Sequence, residues 1–215
     1  MTTIDELVQA RGIREVLHFS TNHGLVGMAS MGAAISRDQL STDSKSPLVA
    51  LNPKNAKFRS DPEWLGYINL SVSRINSSFF GYSKSWKRSP DDYWVILSFS
   101  PEILSHDGVV FATTNNIYHG SCIRGIGYSG LENCFADIVI SKKNSRLARP
   151  DGFPAQWTTC QEAEVLYPKR LPLEYLQCIY VEDEETSDQV LTTLELLTER
   201  SDFNVIINPD KFKGD

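Results

Sequence analysis

The fold is decided by residues 161–181, which read QEAEVLYPKRLPLEYLQCIYV. Residues 162–167 alternate as a strand would, with Glu162, Glu164 and Leu166 on one side and apolar residues on the other. Two carboxylates on one side of an apolar strand lose hydration unless they face a cleft, and Glu is disfavoured in strands. The pattern therefore favours a carboxylate site on a rigid strand, with a solvated sheet edge as the alternative.

Charge is distributed unevenly around this stretch. Residues 141–170 contain six basic and three acidic side chains, whereas residues 181–202 contain eight acidic side chains and one basic one. The formal net charge of −6 hides a basic segment beside the candidate site. Net charge summed over the whole chain therefore does not exclude a nucleic-acid partner.

The bulk composition is that of an ordinary globular protein. A chain of 215 residues with 41% hydrophobic and 22% charged residues predicts a single domain over 1–215. No apolar run approaches the roughly 20 residues of a membrane span, and the first residues do not read as a secretory signal. The four cysteines are widely spaced without a CxxC pair. We therefore expect reduced thiols in a cytoplasmic protein, without a metal site or membrane contact.

Alternating strand patterns and a few helical ones predict an α+β protein. The predicted strands are 14–20, 67–73, 93–99, 109–111, 162–167, 175–181 and 204–208. Helices are predicted to begin at a Thr3–Glu6 capping box, to run from Thr21 or Asn22 to Gly32, and to span 186–200. In the last helix four residues are expected to face inward: Val190, Leu191, Leu194 and Leu197. Residues 36–61, 115–130 and 142–160 are expected to be largely irregular, and no GxGxxG motif is expected after a strand.

Three features besides the carboxylates indicate a ligand site. His18 lies in the middle of a predicted strand, and Arg74 closes another beside small polar residues that suit anionic oxygens. The basic segment carries Phe153 and Trp157, which is the mixture needed to hold phosphates and stack bases of a single strand. Each feature also has an ordinary explanation: a hydrogen-bonded histidine, a surface ion pair and a solvated loop.

The order of these segments resembles the DarT family, bacterial toxins that transfer ADP-ribose from NAD to bases of single-stranded DNA. The matching segments are HFS at 18–20, NHGL at 22–25, RINSSFF at 74–80, VILSFS at 95–100, GVVFATTN at 108–115, EAEVL at 162–166, and Pro172-Leu173 through Ile179 and Val181. The resemblance covers roughly residues 14–181.

The resemblance implies an ADP-ribosyltransferase fold, in which two packed, mainly antiparallel sheets with peripheral helices surround an NAD cleft. It implies that Glu164 is the catalytic carboxylate, that Arg74 holds the NAD phosphates and assists the reaction, and that His18 contacts a ribose. The remaining NAD-binding residues would be Ser20, Asn22, Gly24 and Leu25. The DNA-binding residues would be Lys142, Lys143, Arg146, Arg149, Trp157 and Glu162. A macrodomain-type antitoxin is the implied partner, and no metal is expected.

One departure from the family pattern leaves the acceptor open. Glu162 stands where the family usually has Gln, and the resulting Glu-x-Glu is similar to that of transferases that modify arginine side chains. The loose match to thymidine-modifying members favours guanine over thymine. Transfer to RNA or to protein arginine is the alternative activity, and a non-catalytic nucleotide-binding module is the alternative from another class.

Overall fold

The computed structural model describes residues 3–42, 62–85, 89–198 and 202–214. The helices in these ranges are α1 Ile4–Arg11, α2 Asn22–Met31, α3 Arg37–Thr42, α4 Ser77–Lys84, α5 Gly127–Asn133 and α6 Glu184–Leu197. The strands are β1 Val16–Thr21, β2 Ala33–Ile35, β3 Tyr67–Val72, β4 Trp94–Phe99, β5 Val110–Ala112, β6 Arg124–Ile126, β7 Ile138–Ile140, β8 Arg146–Ala148, β9 Glu164–Pro168, β10 Arg170–Pro172, β11 Leu176–Val181 and β12 Val205–Ile207.

Eight strands form one sheet in the order β12-β11-β4-β1-β3-β9-β5-β6. Neighbouring strands are antiparallel except β11 and β12, which are parallel. Strands β1 and β3 pair only at Val16↔Val72 and Leu17↔Ser71. Beyond these pairs β1 continues against β4, and β3 against β9. The α+β class is confirmed. The two predicted sheets correspond to two halves of one sheet, and we call the place beyond Leu17 where β1 and β3 stop pairing the parting of the sheet.

Local signals in the sequence account for the elements nearest this parting. The side chain of Thr21 accepts a hydrogen bond from the backbone of Gly24 and caps α2, and Gly32 ends the helix with a φ of 62°. The capping box of Thr3 and Glu6 opens α1 as predicted. All six residues of β4 are buried, so the central strand packs against other elements on both faces.

Two segments expected to be irregular contain regular structure. Helix α3 begins at Arg37, while residues 43–61 of the predicted long loop lie outside the described residues. Residues 125–130 read GIGYSG and join β6 to α5, so the expectation that no GxGxxG follows a strand is wrong. Gly125 and Gly130 serve packing, because a Cβ on Gly130 would lie 2.4 Å from the carbonyl carbon of Gly125.

Helix α6 begins earlier and buries a narrower face than predicted. It starts at Glu184 because the carboxylate of Asp183 accepts a hydrogen bond from the backbone N–H of Thr186 at 2.8 Å. Val190 and Leu194, four residues apart, are buried. Leu191 and Leu197 are 44% and 39% exposed, so their predicted inward orientation is wrong.

Candidate active site

His18 lies on β1 just past the two residue pairs that join β1 to β3. Its Nδ1 is 2.9 Å from the backbone oxygen of Asn69 on β3. A carbonyl oxygen can only accept, so Nδ1 carries the proton and donates it. This bond spans the parting of the sheet and orients the imidazole there.

The turn from β1 into α2 contains the other residues predicted to bind NAD. A Cβ on Gly24 would lie 2.0 Å from Oγ of Ser20, so glycine is required for this close approach. Asn22 donates from Nδ2 to the backbone oxygen of Asp91 at 3.3 Å, and its buried Oδ1 has no hydrogen-bond partner among the described residues. Such an oxygen suits a ligand donor. The side chain of Leu25 is 1% exposed and packs in the core.

Arg74 follows β3 and is covered by aromatic rings from the basic loop. Its guanidinium carbon lies 4.5 Å from the ring centroid of Trp157 and 5.0 Å from that of Phe153. Its Nη2 donates to the backbone oxygen of Thr158 at 3.3 Å. The stacked rings hold a cation just beyond the end of β3.

Arg149, predicted to contact DNA, donates its guanidinium hydrogen bonds within its own loop. Its Nη1 donates to the backbone oxygen of Trp157 at 2.7 Å, and its Nη2 to that of Pro154 at 2.8 Å. Burial lowers the pKa of this guanidinium, with repulsion from Arg11 as a smaller cause. Arg149 therefore closes the loop that carries Trp157 by using its donors internally.

Glu164 is the first residue of β9, at the same edge of the sheet as the end of β3. It pairs across the sheet with Ala112 of β5. Its Oε2 accepts a hydrogen bond from the backbone N–H of Asn116 at 2.9 Å. The carboxylate is half-buried, and this bond orients it.

Glu162 is not part of the strand, so the predicted alternation over 162–167 is wrong at its first two residues. The chain turns at Glu162, and β9 begins two residues later. Its Oε1 nevertheless faces the same loop as Glu164 and accepts a hydrogen bond from the hydroxyl of Tyr118 at 3.5 Å. Burial raises the pKa of Tyr118, and the neighbouring carboxylate of Glu162 raises it further.

Gln161 ties the carboxylate segment to the segment that follows Arg74. Its Nε2 donates to the backbone oxygen of Ile75 at 3.2 Å and to Oγ of Ser77 at 3.0 Å. Together with the hydrogen bond from Arg74 to Thr158, these contacts hold the segment just before Glu164 against Arg74 and the residues that follow it. Gln161 carries no local sequence signal, because its partners are more than 80 residues away along the chain.

Three basic residues of the predicted DNA surface are exposed, and one of them lies near Tyr118. The segment includes strand β8, which pairs with β7, so residues 142–160 are not wholly irregular. The side chains of Lys142, Lys143 and Arg146 are exposed. Nζ of Lys142 lies 6.0 Å from the ring centroid of Tyr118. Lys142 therefore borders the loop that contacts both carboxylates.

The family model described as "DarT: ssDNA thymidine ADP-ribosyltransferase, DarT" matches residues 18–213. The chain belongs to the DarT family. This confirms the resemblance and the predicted class of enzyme, an ADP-ribosyltransferase. Comparison with curated protein sequences gives no match.

Solved DarT structures share this fold at low sequence identity. Thermus sp. 2.9 DarT in complex with NAD+ is 18% identical, with a TM-score of 0.62 over 92% of this chain and 96% of that one. The same DarT in complex with ADP-ribosylated ssDNA is 16% identical, with a TM-score of 0.61 over 93% and 96%. Thermosipho africanus DarTG in complex with ADP-ribose is 15% identical, with a TM-score of 0.64 over 93% of this chain and 51% of that one.

The site of this DarT-family chain also contains residues that the sequence analysis missed. Asn116 and Arg124 lie in the stretch expected to be irregular, and β6, which carries Arg124, is only three residues long. Such a short strand gives no measurable periodicity. Within the described residues, no cluster of His, Cys, Asp and Glu is arranged to hold a metal ion. Each helix described is too short or too polar to cross a membrane.

Proposed function

We propose that this chain transfers ADP-ribose from NAD to a thymine base of single-stranded DNA. The observation that carries the proposal is the placement of His18 on β1, of Arg74 just after β3 and of Glu164 at the start of β9, three strands that are neighbours in the sheet. A histidine, a stacked guanidinium and an oriented carboxylate suit the ribose, the phosphates and the reacting carbon of NAD. The Thermus sp. 2.9 DarT complexes with NAD+ and with ADP-ribosylated ssDNA support this choice of substrates.

The reaction breaks the bond between the ribose C1′ and the nicotinamide nitrogen, and the bonding electrons leave with nicotinamide. Positive charge develops on the ribose as this bond lengthens, and the carboxylate of Glu164 stabilises it electrostatically. A base nitrogen then bonds to C1′ and gives its proton to Glu164. Arg74 binds the pyrophosphate and His18 a ribose, which fixes C1′ for the attack.

Single-stranded DNA fits the surface next to this site. The reactive nitrogen of thymine lies on its pairing edge, which a duplex hides. Lys142, Lys143 and Arg146 are exposed and suit phosphates, and Trp157 offers a ring for a base. We propose thymine rather than the guanine that the sequence favoured, because the family description names thymidine.

We further propose a single catalytic domain over 1–215, acting in the cytoplasm and neutralised by a macrodomain-type antitoxin. A toxin that modifies DNA needs an enzyme that removes the modification, and DarTG with ADP-ribose is among the similar structures. Co-expression with a macrodomain glycohydrolase should restore growth and erase the adduct. A catalytically dead macrodomain is the control.

One contact favours a second candidate, transfer to arginine side chains or RNA. Glu162 accepts a hydrogen bond from Tyr118 and faces the loop that also contacts Glu164. Its carboxylate is therefore placed to orient a cationic or hydroxyl acceptor.

A panel of single-stranded oligonucleotides tests the acceptor. Each oligonucleotide contains one reactive base, thymine or guanine, in an otherwise adenine and cytosine sequence, and is incubated with NAD and analysed by mass spectrometry. We expect the mass of one ADP-ribose on the thymine oligonucleotide and none on its duplex. Modification of guanine alone would reassign the base, and modification of RNA or of an arginine-rich protein with DNA unmodified would favour the second candidate.

A further inference from the structure

Three residues on adjacent strands form a row across the sheet at the candidate active site. Ala112 of β5 pairs with Glu164 of β9 on one side and with Arg124 of β6 on the other. Directly paired residues of antiparallel strands point to the same face of a sheet. The side chains of Arg124 and Glu164 therefore lie on one face, separated by two strand spacings, roughly 10 Å.

Asn116 bridges the two ends of this row. Its Oδ1 accepts a hydrogen bond from Nε of Arg124 at 2.6 Å, and its backbone oxygen accepts one from Nη2 at 2.7 Å. Its own backbone N–H donates to Oε2 of Glu164 at 2.9 Å. The guanidinium of Arg124 thus binds both the side chain and the backbone of Asn116, the residue whose N–H orients Glu164.

The guanidinium is itself held in place. Its carbon lies 5.0 Å from the ring centroid of Trp64, which packs with Ala112 and Leu166. The small side chain at Ala112 is fully buried and leaves space above the row for the loop that carries Asn116. A stacked, two-point guanidinium is a rigid support for a loop.

We propose that Arg124 is a positioning residue, which acts on Glu164 through Asn116. This inference rests on the proposed catalytic role of Glu164. Loss of Arg124 frees the backbone of Asn116, so the carboxylate loses its fixed orientation relative to C1′. Small displacements of a catalytic group lower the rate of the chemical step more than they lower substrate binding.

The test compares Arg124→Met and Arg124→Lys with the wild-type protein. For Arg124→Met we expect kcat to fall about 10- to 100-fold, with KM for NAD and for the oligonucleotide changed by no more than about twofold. Lysine has one ammonium and cannot reach both acceptors as the guanidinium does. The kcat of Arg124→Lys should therefore lie between the kcat of Arg124→Met and that of the wild-type protein. Arg170→Met is the matched control, because Arg170 also donates to a backbone oxygen, that of Met31, away from the row.

A double variant distinguishes positioning from general destabilisation. Asn116→Ala removes Oδ1, which accepts one of the two hydrogen bonds from Arg124. The double variant Arg124→Met with Asn116→Ala should have the same kcat as Arg124→Met alone, because both changes disrupt the same hydrogen-bonded pair. Thermal unfolding is measured for every variant. Additive losses, or losses of kcat that track the melting temperature, would overturn the proposal.

NAD hydrolysis is followed beside transfer, because both reactions need a carboxylate at C1′. A wild-type protein that hydrolyses NAD without modifying DNA would refute the proposed function, while the Arg124 variants would still test the positioning role through hydrolysis. Unchanged kcat in Arg124→Met for both reactions would refute the positioning role alone. A raised KM for DNA with a weaker salt dependence would instead make Arg124 a phosphate contact.

Discussion

Glu162 and Glu164 are two residues apart and have different surroundings. Glu164 begins a strand and is oriented by a backbone N–H, which every amino acid at position 116 except proline supplies. Glu162 lies in a turn and is bound by the hydroxyl of Tyr118, a contact that depends on that particular side chain. The first arrangement suits a fixed electrostatic role, and the second suits a residue that adapts to an acceptor.

Replacing Glu162 tests this division. In Glu162→Gln the amide keeps the shape of the side chain and a hydrogen bond to Tyr118, so we expect DNA transfer to stay within about threefold of wild type. The matched measurement is NAD hydrolysis by the same variant. Loss of transfer with hydrolysis retained would show that the carboxylate orients the acceptor.

Replacing Arg74 tests its contact with NAD. Arg74→Lys keeps the charge but loses the planar surface that stacks on Trp157 and Phe153, and it cannot make the two-point contact that we propose with the NAD phosphates. We expect KM for NAD to rise about tenfold. Arg14→Lys, at an exposed position before β1, is the control, and equal KM values in the two variants would contradict the assignment.

Among the elements, segments with a local signal were predictable, whereas several three-residue strands were not. The Thr3–Glu6 capping box, the helix between Thr21 and Gly32 and the central strand were predicted because each has a local chemical signal. Strands β6, β7 and β8 have three residues each and were missed, since their stability comes from pairing rather than periodicity. Glu162 was placed on a strand because alternation alone cannot locate the turn before Glu164.

The cap of α6 gives a prediction that depends on pH. Hydrogen bonds from Thr186 lower the pKa of Asp183 below its ordinary value. A carboxyl group whose pKa is lowered on folding stabilises the fold at pH values above its unfolded pKa of about 4. This stabilisation is lost as the pH falls through the lower, folded pKa. Asp183→Ala should therefore lower the free energy of unfolding by about 1 kcal/mol at pH 7 and by less at pH 3.

Urea unfolding at both pH values measures this difference. Asp188→Ala, within the same helix, is the control and should have little effect at either pH. A loss for Asp183→Ala that is the same at pH 7 and pH 3 would contradict the cap.

The basic loop offers a matched pair of arginines with opposite roles. Arg146 is exposed, whereas Arg149 donates to the carbonyls of Pro154 and Trp157. Arg146→Met should reduce the salt dependence of single-stranded DNA binding by about 0.7 in the log–log slope. Arg149→Met should leave the slope unchanged and make residues 150–159 easier to cleave by protease. The reverse pattern would show that Arg149 contacts phosphate.

For the molecule as a whole, the site depends on long-range pairing that no local pattern reveals. His18, Arg74 and Glu164 come from distant parts of the chain and lie on or next to β1, β3 and β9, which are neighbours in the sheet. The resemblance to the DarT family supplied these three residues, since the residue patterns alone left each with an ordinary alternative. Asn116, Arg124 and Gln161 required the structure, because their roles follow from backbone contacts across the fold.

The catalytic role of Glu164 is tested most directly by comparing wild type with Glu164→Gln on a mixed-sequence single-stranded oligonucleotide and NAD. Mass spectrometry of the DNA and quantification of nicotinamide are made on the same reaction, with Glu174→Gln as an exposed control. We predict one ADP-ribose on DNA for each nicotinamide released by wild type and by the control, and at least about a 100-fold slower reaction for Glu164→Gln, which should fold normally. Undiminished transfer by Glu164→Gln, or no adduct on DNA with wild type, would contradict the account.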